Sequence, residues 1–351
     1  MKLFIKINLI LINILFFIGM GIAYLSSFIN PAEHWFPSLM SIGSHFLIIG
    51  NIFFIIFWAL KKNWLFILSL LILLTGSFWS LPKHFQLNKE TTTHEKGIIL
   101  CSYNIRSFKG HDGKSVKKWG RMMVKHYLKE KNADIVCFQE INHNLIKDFN
   151  PFDSDSVAYH TSDKDELITI SRYPVIKEDK CFFENSNMIV LSDLKIGNDT
   201  IRVFNCHLQS YNLPSSYVNS LNTFSIKNQI ENIRRIYQFF PKFRHYVKQR
   251  ALQADLLKEK INISPYPVII CGDFNGTPDS YTYKTIKGNM KDAFMESGRG
   301  TGTSYRRPFF SFRIDYIFHD DSFKTYDFSV DNKNYSDHKP IWCNLVKNDP
   351  E

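Results

Sequence analysis

Charge is nearly missing from the first third of the chain. No charged residue occurs from Ile7 to Ala32, from Trp35 to Leu60 or from Asn63 to Pro82, and residues 1 to 96 hold only seven lysines and three glutamates. Cysteine pairing is also missing. Cys101, Cys137, Cys181, Cys206, Cys271 and Cys343 form no CxxC, and no cysteine or histidine cluster has zinc-site spacing, which excludes a zinc-finger type of site. Five of the six sit in short apolar runs and read as small core residues. No repeat of fixed period and no low-complexity tract is present, which excludes a repeat array. The rest of the chain, with 36 basic and 30 acidic residues, is only mildly basic, so its charge demands neither nucleic acid nor a membrane surface as partner.

Each uncharged stretch reaches the roughly 20 residues that a helix needs to span a bilayer. The sequence therefore predicts an anchor over residues 1–82, with spans at about 7–29, 38–60 and 63–82. For the first stretch a cleaved signal peptide is the other reading, since Lys2 and Lys6 make a basic start and Gly21-Ile-Ala23 resembles a cleavage site. His45 and Asn51, inside the second stretch, read as packing or hydrogen-bonding residues. Lys2, Lys6, Lys61 and Lys62 fall on one side of three spans, so the N-terminus is expected in the cytoplasm and the following domain outside it. Lys83, Lys89 and Lys96 on the outer side weaken that bias.

Residues 83–96, with three consecutive threonines, read as a polar linker. Beyond them, over 97–349, short apolar runs each stop at chemically active residues. Gly97–Tyr103 ends in Asn104, Ala133–Phe138 in Gln139-Glu140, Ile201–Asn205 near His207, and Pro267–Cys271 in Gly272-Asp273-Phe274-Asn275. Arg313–Phe318 carries Asp315 internally, and Asp337-His338 precedes Pro340–Cys343. Runs of this length rich in Ile, Val and Phe predict buried strands whose polar ends line one edge. Val116, Trp119, Met123 and Tyr127 recur at helical spacing, and a second helical stretch runs from about Ile226 to Lys260, broken at Pro241. The expected fold is a four-layer α/β sandwich, two packed mixed sheets flanked by helices, preceded by three transmembrane helices.

Each polar tip alone has a bland explanation. An Asp-Phe-Asn turn suits Asx chemistry, a strand-end Glu is usually solvated, and an Asp-His pair is usually a surface hydrogen bond. Together, three acids and an Asn at strand ends would gather hard oxygen ligands around one point, the environment that Mg²⁺ prefers. His207 and His338 would supply proton donors beside them.

The ordered motifs are Ser-Tyr-Asn104-Ile-Arg, Phe-Gln-Glu140, Ser171-Arg-Tyr-Pro174, Asn205-Cys-His207-Leu, Gly272-Asp273-Phe-Asn275, Arg313-Ile-Asp315-Tyr and Ser336-Asp337-His338. Over about residues 97 to 346 this resembles the endonuclease/exonuclease/phosphatase superfamily, which includes pancreatic-type deoxyribonucleases, abasic-site endonucleases and neutral sphingomyelinases. The resemblance implies a phosphoesterase using Mg²⁺, with Mn²⁺ as a substitute. It assigns Glu140 as the principal metal ligand, with Asn104 and Asp337 supporting it. Asp273 would activate the attacking water, Asn275 would hold a phosphate oxygen, and His338, fixed by Asp315, would contact the phosphate. His207 would stabilise phosphate charge or protonate the leaving oxygen.

Two segments depart from the family pattern. Asp165-Glu166-Leu167 replaces a glycine-rich entry to a strand, and Glu166 either pairs with His207 or faces solvent. The stretch 227–250 mixes Lys227, Arg234, Arg235, Lys242, Arg244, Lys248 and Arg250 with aromatic residues, and is either a covering helix pair with a solvated basic face or a lip for anionic substrate or lipid headgroups. The alternative to an enzyme is a catalytically inactive, membrane-tethered phosphate-binding module of the same fold, but none of Glu140, Asp273, Asn275, Asp337 or His338 is missing. Nucleic acid, a lipid headgroup and a small phosphoester remain open as substrates. An integral membrane location is expected, and no obligate protein partner.

Overall fold

The computed structural model describes residues 3–89, 93, 95, 97–110, 115, 117–141, 149–152, 159–160, 166–183, 188–211, 229–307 and 310–348. The chain forms two compact units: Met1–Ser77 with Gln209–Leu256 and Asp279–Lys284, and Phe78–Leu208 with Leu257–Pro278 and Thr285–Glu351.

The first unit opens with helices α1 (Leu3–Leu25), α2 (Phe36–Ile42), α3 (Ser44–Leu60) and α4 (Phe66–Trp79). Among the described residues only α1 is by itself long and apolar enough to cross a membrane. Its 23 residues extend about 35 Å at 1.5 Å per residue, more than the ~30 Å hydrocarbon core. The expected spans at 38–60 and 63–82 do not form as unbroken helices. Gly43, a poor helix former, separates α2 from α3 at a bend of 66°. The third stretch is regular over only the 14 residues of α4, about 21 Å. Buried amides join these helices: Asn13 donates to Ser69 Oγ at 2.6 Å, and the Trp58 indole N–H donates to Asn13 Oδ1 at 3.1 Å. Asn51 donates to Phe16 O and Leu47 O. Each of these groups would be costly to bury unpaired in an apolar bundle.

The second unit carries both sheets. In chain order the strands are β1 (Gln86–Leu87), β2 (Ile98–Asn104), β3 (Ile135–Gln139), β4 (Tyr159–His160), β5 (Ile168–Ser171), β6 (Val175–Phe182), β7 (Met188–Ile196) and β8 (Asp199–His207). They continue as β9 (Val268–Asp273), β10 (Lys291–Asp292), β11 (Arg299–Gly300), β12 (Tyr305–Arg307), β13 (Phe310–Phe312), β14 (Asp315–His319), β15 (Phe323–Val330) and β16 (Ile341–Lys347). One six-stranded sheet has the order β15-β16-β2-β3-β5-β4 and the other β10-β14-β9-β8-β7-β6. Each is antiparallel apart from one parallel pair, β2 with β3 and β8 with β9. The remaining helices are α5 (Leu81–His84), α6 (Lys117–Glu130), α7 (Gln229–Asn262), α8 (Tyr281–Lys287) and α9 (Ala293–Ser297). Two packed mixed sheets flanked by helices match the expected α/β sandwich.

The period-2 alternation of each strand explains the layering. On β2, β3 and β16, Leu100, Ile135, Cys137, Cys343 and Leu345 face Val203, Ile269, Cys271 and Ile317 of the other sheet. The alternate residues Cys101, Tyr103, Val136, Phe138 and Trp342 pack with Val124, Tyr127 and Leu128 of α6. The buried stripe of α6 is thus displaced from the expected one. Tyr127 belongs to it, Trp119 and Met123 are exposed, and Val116 lies outside the described residues. Pro241 lies inside α7 rather than breaking it. Pro241 and Tyr237, whose carbonyl loses its donor, are both exposed, so water can satisfy that oxygen. Part of the stretch read as a linker also has a place in this unit: β1 pairs with β11, and Arg313 donates to Lys83 O at 2.8 Å.

A glycine at the end of β9 lets the strand that carries Asp273 lie close against β8. Gly272 has φ +134°, and a Cβ there would lie 2.0 Å from the carbonyl oxygen of Cys206 on β8. We expect Gly272→Ala to cost at least about 2 kcal/mol through strain and overpacking. A thermal melt of the full chain in detergent measures this, and an unchanged midpoint would show that β8 and β9 are not so closely apposed.

Candidate active site

Strand register brings the polar tips together. Asn104 and Gln139 are paired at the ends of β2 and β3, while His207 on β8 and Asp315 on β14 both stand in register with Asp273 on β9. Asp337 and His338 lie in the segment before β16. A buried amide network pins the two sheets behind these tips: Gln139 Nε2 donates to Asn205 Oδ1 at 2.8 Å, and Asn205 Nδ2 donates to Phe138 O and Ile168 O.

Two overlapping groups form at this edge. One ligand atom from each of Glu140, His207 and Asp273 lies within 4.8 Å of the others, and the same holds for Asp273, Asp315 and His338. Asn104 links them, because its amide donates to Glu140 Oε1 and to Asp273 Oδ2, each at 3.0 Å. Its own oxygen accepts from the Arg106 backbone N–H at 3.1 Å. The amide thus restrains two carboxylates. Asn275 donates through its backbone N–H to Asp273 Oδ1 and through its side chain to Leu208 O, both at 2.9 Å.

His338 is buried between two acids. Its Nδ1 lies 2.9 Å from Asp315 Oδ2, and its Nε2 lies 3.6 Å from Asp273 Oδ2. Burial alone would lower its pKa, but Asp315 and then Asp273 outweigh that and raise it to about 10. Asp273 is pushed up to about 6 by burial and by the Asp315 charge, against the pull of His338 and His207. Burial would raise Glu140, yet the neighbouring His207, the Asn104 hydrogen bond, His338 and Arg106 hold it below its ordinary value.

Asp337 stands outside both groups. Its Oδ2 is 3.0 Å from Arg106 Nη1, and its backbone oxygen accepts from Arg306 N–H at 2.9 Å. Glu166 is exposed, and the carboxylate beside His207 is Glu140, with Oε1 3.6 Å from His207 Nε2. Asp165 lies outside the described residues.

Several contributors carry no assignment from sequence. Ser107 donates to the Glu140 carbonyl through its backbone N–H at 2.6 Å and through its hydroxyl at 2.9 Å. Arg106, Ser107, Glu140 and Asn275 all have φ between 48° and 51°, a left-handed conformation that costs roughly 1–2 kcal/mol for most non-glycine residues. The Tyr305 ring lies 4.8 Å from that of His338. Arg106 was visible inside the Ser-Tyr-Asn-Ile-Arg motif, whereas nothing in the sequence singles out Ser107 or Tyr305.

A divalent cation fits the first group better than the second. Among the described residues neither buried His207 ring nitrogen has a hydrogen-bond partner, and Glu140 beside them retains 36% side-chain exposure. In the second group His338 Nδ1 is already engaged by Asp315, and all three residues are buried.

The family model described as "Endonuclease/Exonuclease/phosphatase family" matches residues 101–338, about two thirds of the chain, and a model for a domain of unknown function (DUF8431) matches residues 2–81. Among curated protein sequences, none matches this chain. The chain is similar to solved structures over a little more than 70% of its length. Humanized D. rerio TDP2, carrying 14 mutations, aligns with 72% of this chain and 100% of its own at 13% identity and a TM-score of 0.52. An endonuclease/exonuclease/phosphatase family protein from Bacteroides thetaiotaomicron aligns over 73% and 100% at 17% identity and 0.52, and one from Bacteroides vulgatus over 72% and 100% at 19% and 0.50. At these identities the likeness shows the fold alone. With the family model spanning every motif from Cys101 to His338, the chain belongs to the endonuclease/exonuclease/phosphatase family, whose members are generally hydrolases of phosphoester bonds.

Proposed function

We propose that the chain is a membrane-anchored, metal-dependent phosphoesterase that uses water to cleave a phosphodiester or phosphomonoester. The observation that carries this reading is the buried His338 held between Asp315 and Asp273, beside Glu140 and a His207 whose ring nitrogens have no hydrogen-bond partner among the described residues. A module that only binds phosphate has no need of an acid raised to about 6 next to a histidine raised to about 10.

Glu140, with His207 beside it, would hold the cation, and a carboxylate oxygen suits Mg²⁺ or Mn²⁺. When bound, the ion would supply Lewis-acid stabilisation of phosphate charge. Asp273 takes the proton from the attacking water, since its carboxylate is the base form above about pH 6. His338 remains an imidazolium to about pH 10 and faces the phosphate with positive charge, its orientation set by Asp315. Asn104 and Asn275 keep Asp273 from swinging away. Arg106 neutralises Asp337, which then supports the site as a scaffold.

The anchor reading rests on α1. If Lys2 and Lys6 stay in the cytoplasm, the far end of α1 and the loop 26–35 lie outside. Supporting an extracytoplasmic catalytic domain, that loop packs within its own unit on segments that come from the middle of the catalytic sequence. Ser26 Oγ donates to Asp279 O at 2.7 Å, and the Trp35 ring is 6.0 Å from those of Phe240 and Phe243. Lipid headgroups and released phosphoesters then become the accessible substrates, ahead of chromosomal DNA.

Assays with bis(p-nitrophenyl) phosphate, DNA, RNA and phospholipids test the chemistry. Asp273→Asn and His338→Ala are expected to lower kcat by about 10²-fold or more with unchanged circular dichroism. The wild-type rate is expected to rise as Asp273 ionises near pH 6, stay level, and fall as His338 loses its proton near pH 10. In Asp315→Asn the alkaline limb moves to lower pH, because an acid that holds the proton on His338 is gone. A pH profile unmoved by Asp315→Asn would contradict these roles. Topology has its own test, with alkaline phosphatase or a fluorescent protein fused after Glu351. The expected result is phosphatase activity without fluorescence, and the reverse pattern would place the domain in the cytoplasm.

A further inference from the structure

The loop between α1 and α2 is bonded at several points within its unit. Asn30 Nδ2 lies 3.2 Å from Tyr281 Oη and 3.4 Å from Asp255 Oδ2, and Tyr281 donates to Asp255 Oδ1 at 2.7 Å. The Lys284 ammonium sits 3.3 Å from the centre of the Phe28 ring. Trp35 completes the contact on Phe240 and Phe243 of α7. Because uncharged helices leave this loop at both ends, it marks one face of the membrane. The α7 residues that touch it lie at that same face.

Along α7 one side is buried, through Phe243, Val247, Arg250, Ala251 and Ala254. Arg250 belongs to that interior, where it donates to Gln209 O at 2.8 Å and stacks 4.2 Å from the Tyr211 ring. The opposite side exposes Tyr237, Lys242, Arg244 and His245, with Lys248 half-buried. No acid occurs between Tyr237 and Ala254, and Asp255 is already engaged by Asn30 and Tyr281. Among the described residues Lys242, Arg244 and Lys248 have no acidic partner. A basic face flanked by an exposed tyrosine at the level where an apolar helix leaves the bilayer is complementary to anionic headgroups.

We propose that the Tyr237–Lys248 face of α7 is a contact surface for anionic phospholipid headgroups, a second hold on the membrane beside α1. This rests on the reading of α1 as a membrane span. It turns a helix from the middle of the catalytic sequence into part of the anchor, so the enzyme favours anionic regions of the bilayer. Each basic residue near such a surface contributes about fivefold to the local preference, and salt removes it.

The full chain is reconstituted in nanodiscs of phosphatidylcholine, or of phosphatidylcholine and phosphatidylglycerol in a two-to-one mixture. Lysines are then acetylated with a water-soluble reagent, and labelling rates are read by peptide mass spectrometry. The expected result is about fivefold or greater protection of Lys242 and Lys248 in the anionic discs, lost at high salt, with exposed Lys324 unchanged. In Arg244→Glu the protection of Lys242 and Lys248 is expected to weaken while both remain as reporters. Equal labelling in the two discs at low salt would overturn the proposal, as would protection that appears only when nucleic acid is added. Alkaline carbonate extraction separates this outcome from failure of the anchor: a chain released by carbonate has no span, whereas a retained chain with equal labelling has a span but no headgroup surface.

Discussion

Like charge crowded into a buried edge is the constraint on which the rest depends. Glu140, Asp273 and Asp315 reach toward shared points from three strand ends, and two such charges about 4 Å apart repel by about 4 kcal/mol at the effective dielectric of a protein surface. The site offsets this with an imidazolium between Asp315 and Asp273, and with the Asn104 amide donating to Glu140 and Asp273 at once. Burial, together with the Asp315 repulsion that remains, raises Asp273 to about 6, and the role proposed for it as a base near neutral pH rests on that shift.

Such an arrangement persists only on a frame that cannot relax. Gly272 lets β9 approach β8 where any side chain would collide with the Cys206 carbonyl. The Gln139 and Asn205 amides cross from one sheet to the other directly behind the acids. Left-handed backbone at Arg106, Ser107, Glu140 and Asn275 is strain concentrated at the same edge, and Ser107 sustains it at Glu140 by donating twice to that carbonyl. Loosening any of these would let the carboxylates separate and return Asp273 toward an ordinary, weakly basic acid.

Much of this was legible in the residues alone. Apolar runs that stop at Asn104, Glu140, His207 and Asp273 announce strands with reactive ends, because buried β-structure has little other use for such polar residues. The two packed sheets follow from the same runs. What the runs do not encode is register and hand. The place of the Asn104 amide between two carboxylates and of Arg106 against Asp337 depends on that register, and the runs do not give it. Ser107 carries no signal, since a left-handed turn of non-glycine residues leaves none. The spans misled for a simpler reason: an absence of charge reports solubility in lipid but not helix continuity, and Gly43 interrupts the second stretch. Pro241 misled in the opposite sense, because the rule that proline ends helices yields where the freed carbonyl meets water.

The central claim is that Glu140, beside His207, receives a divalent cation needed for phosphoester chemistry. Binding of Mn²⁺ to the full chain, followed by electron paramagnetic resonance in a titration of wild type and Glu140→Gln, tests it without reference to any substrate. The account predicts a saturable site in the wild type, with affinity lowered about tenfold or more when Glu140 loses its charge. Equal affinity in the two proteins, or no saturable site in either, would contradict it.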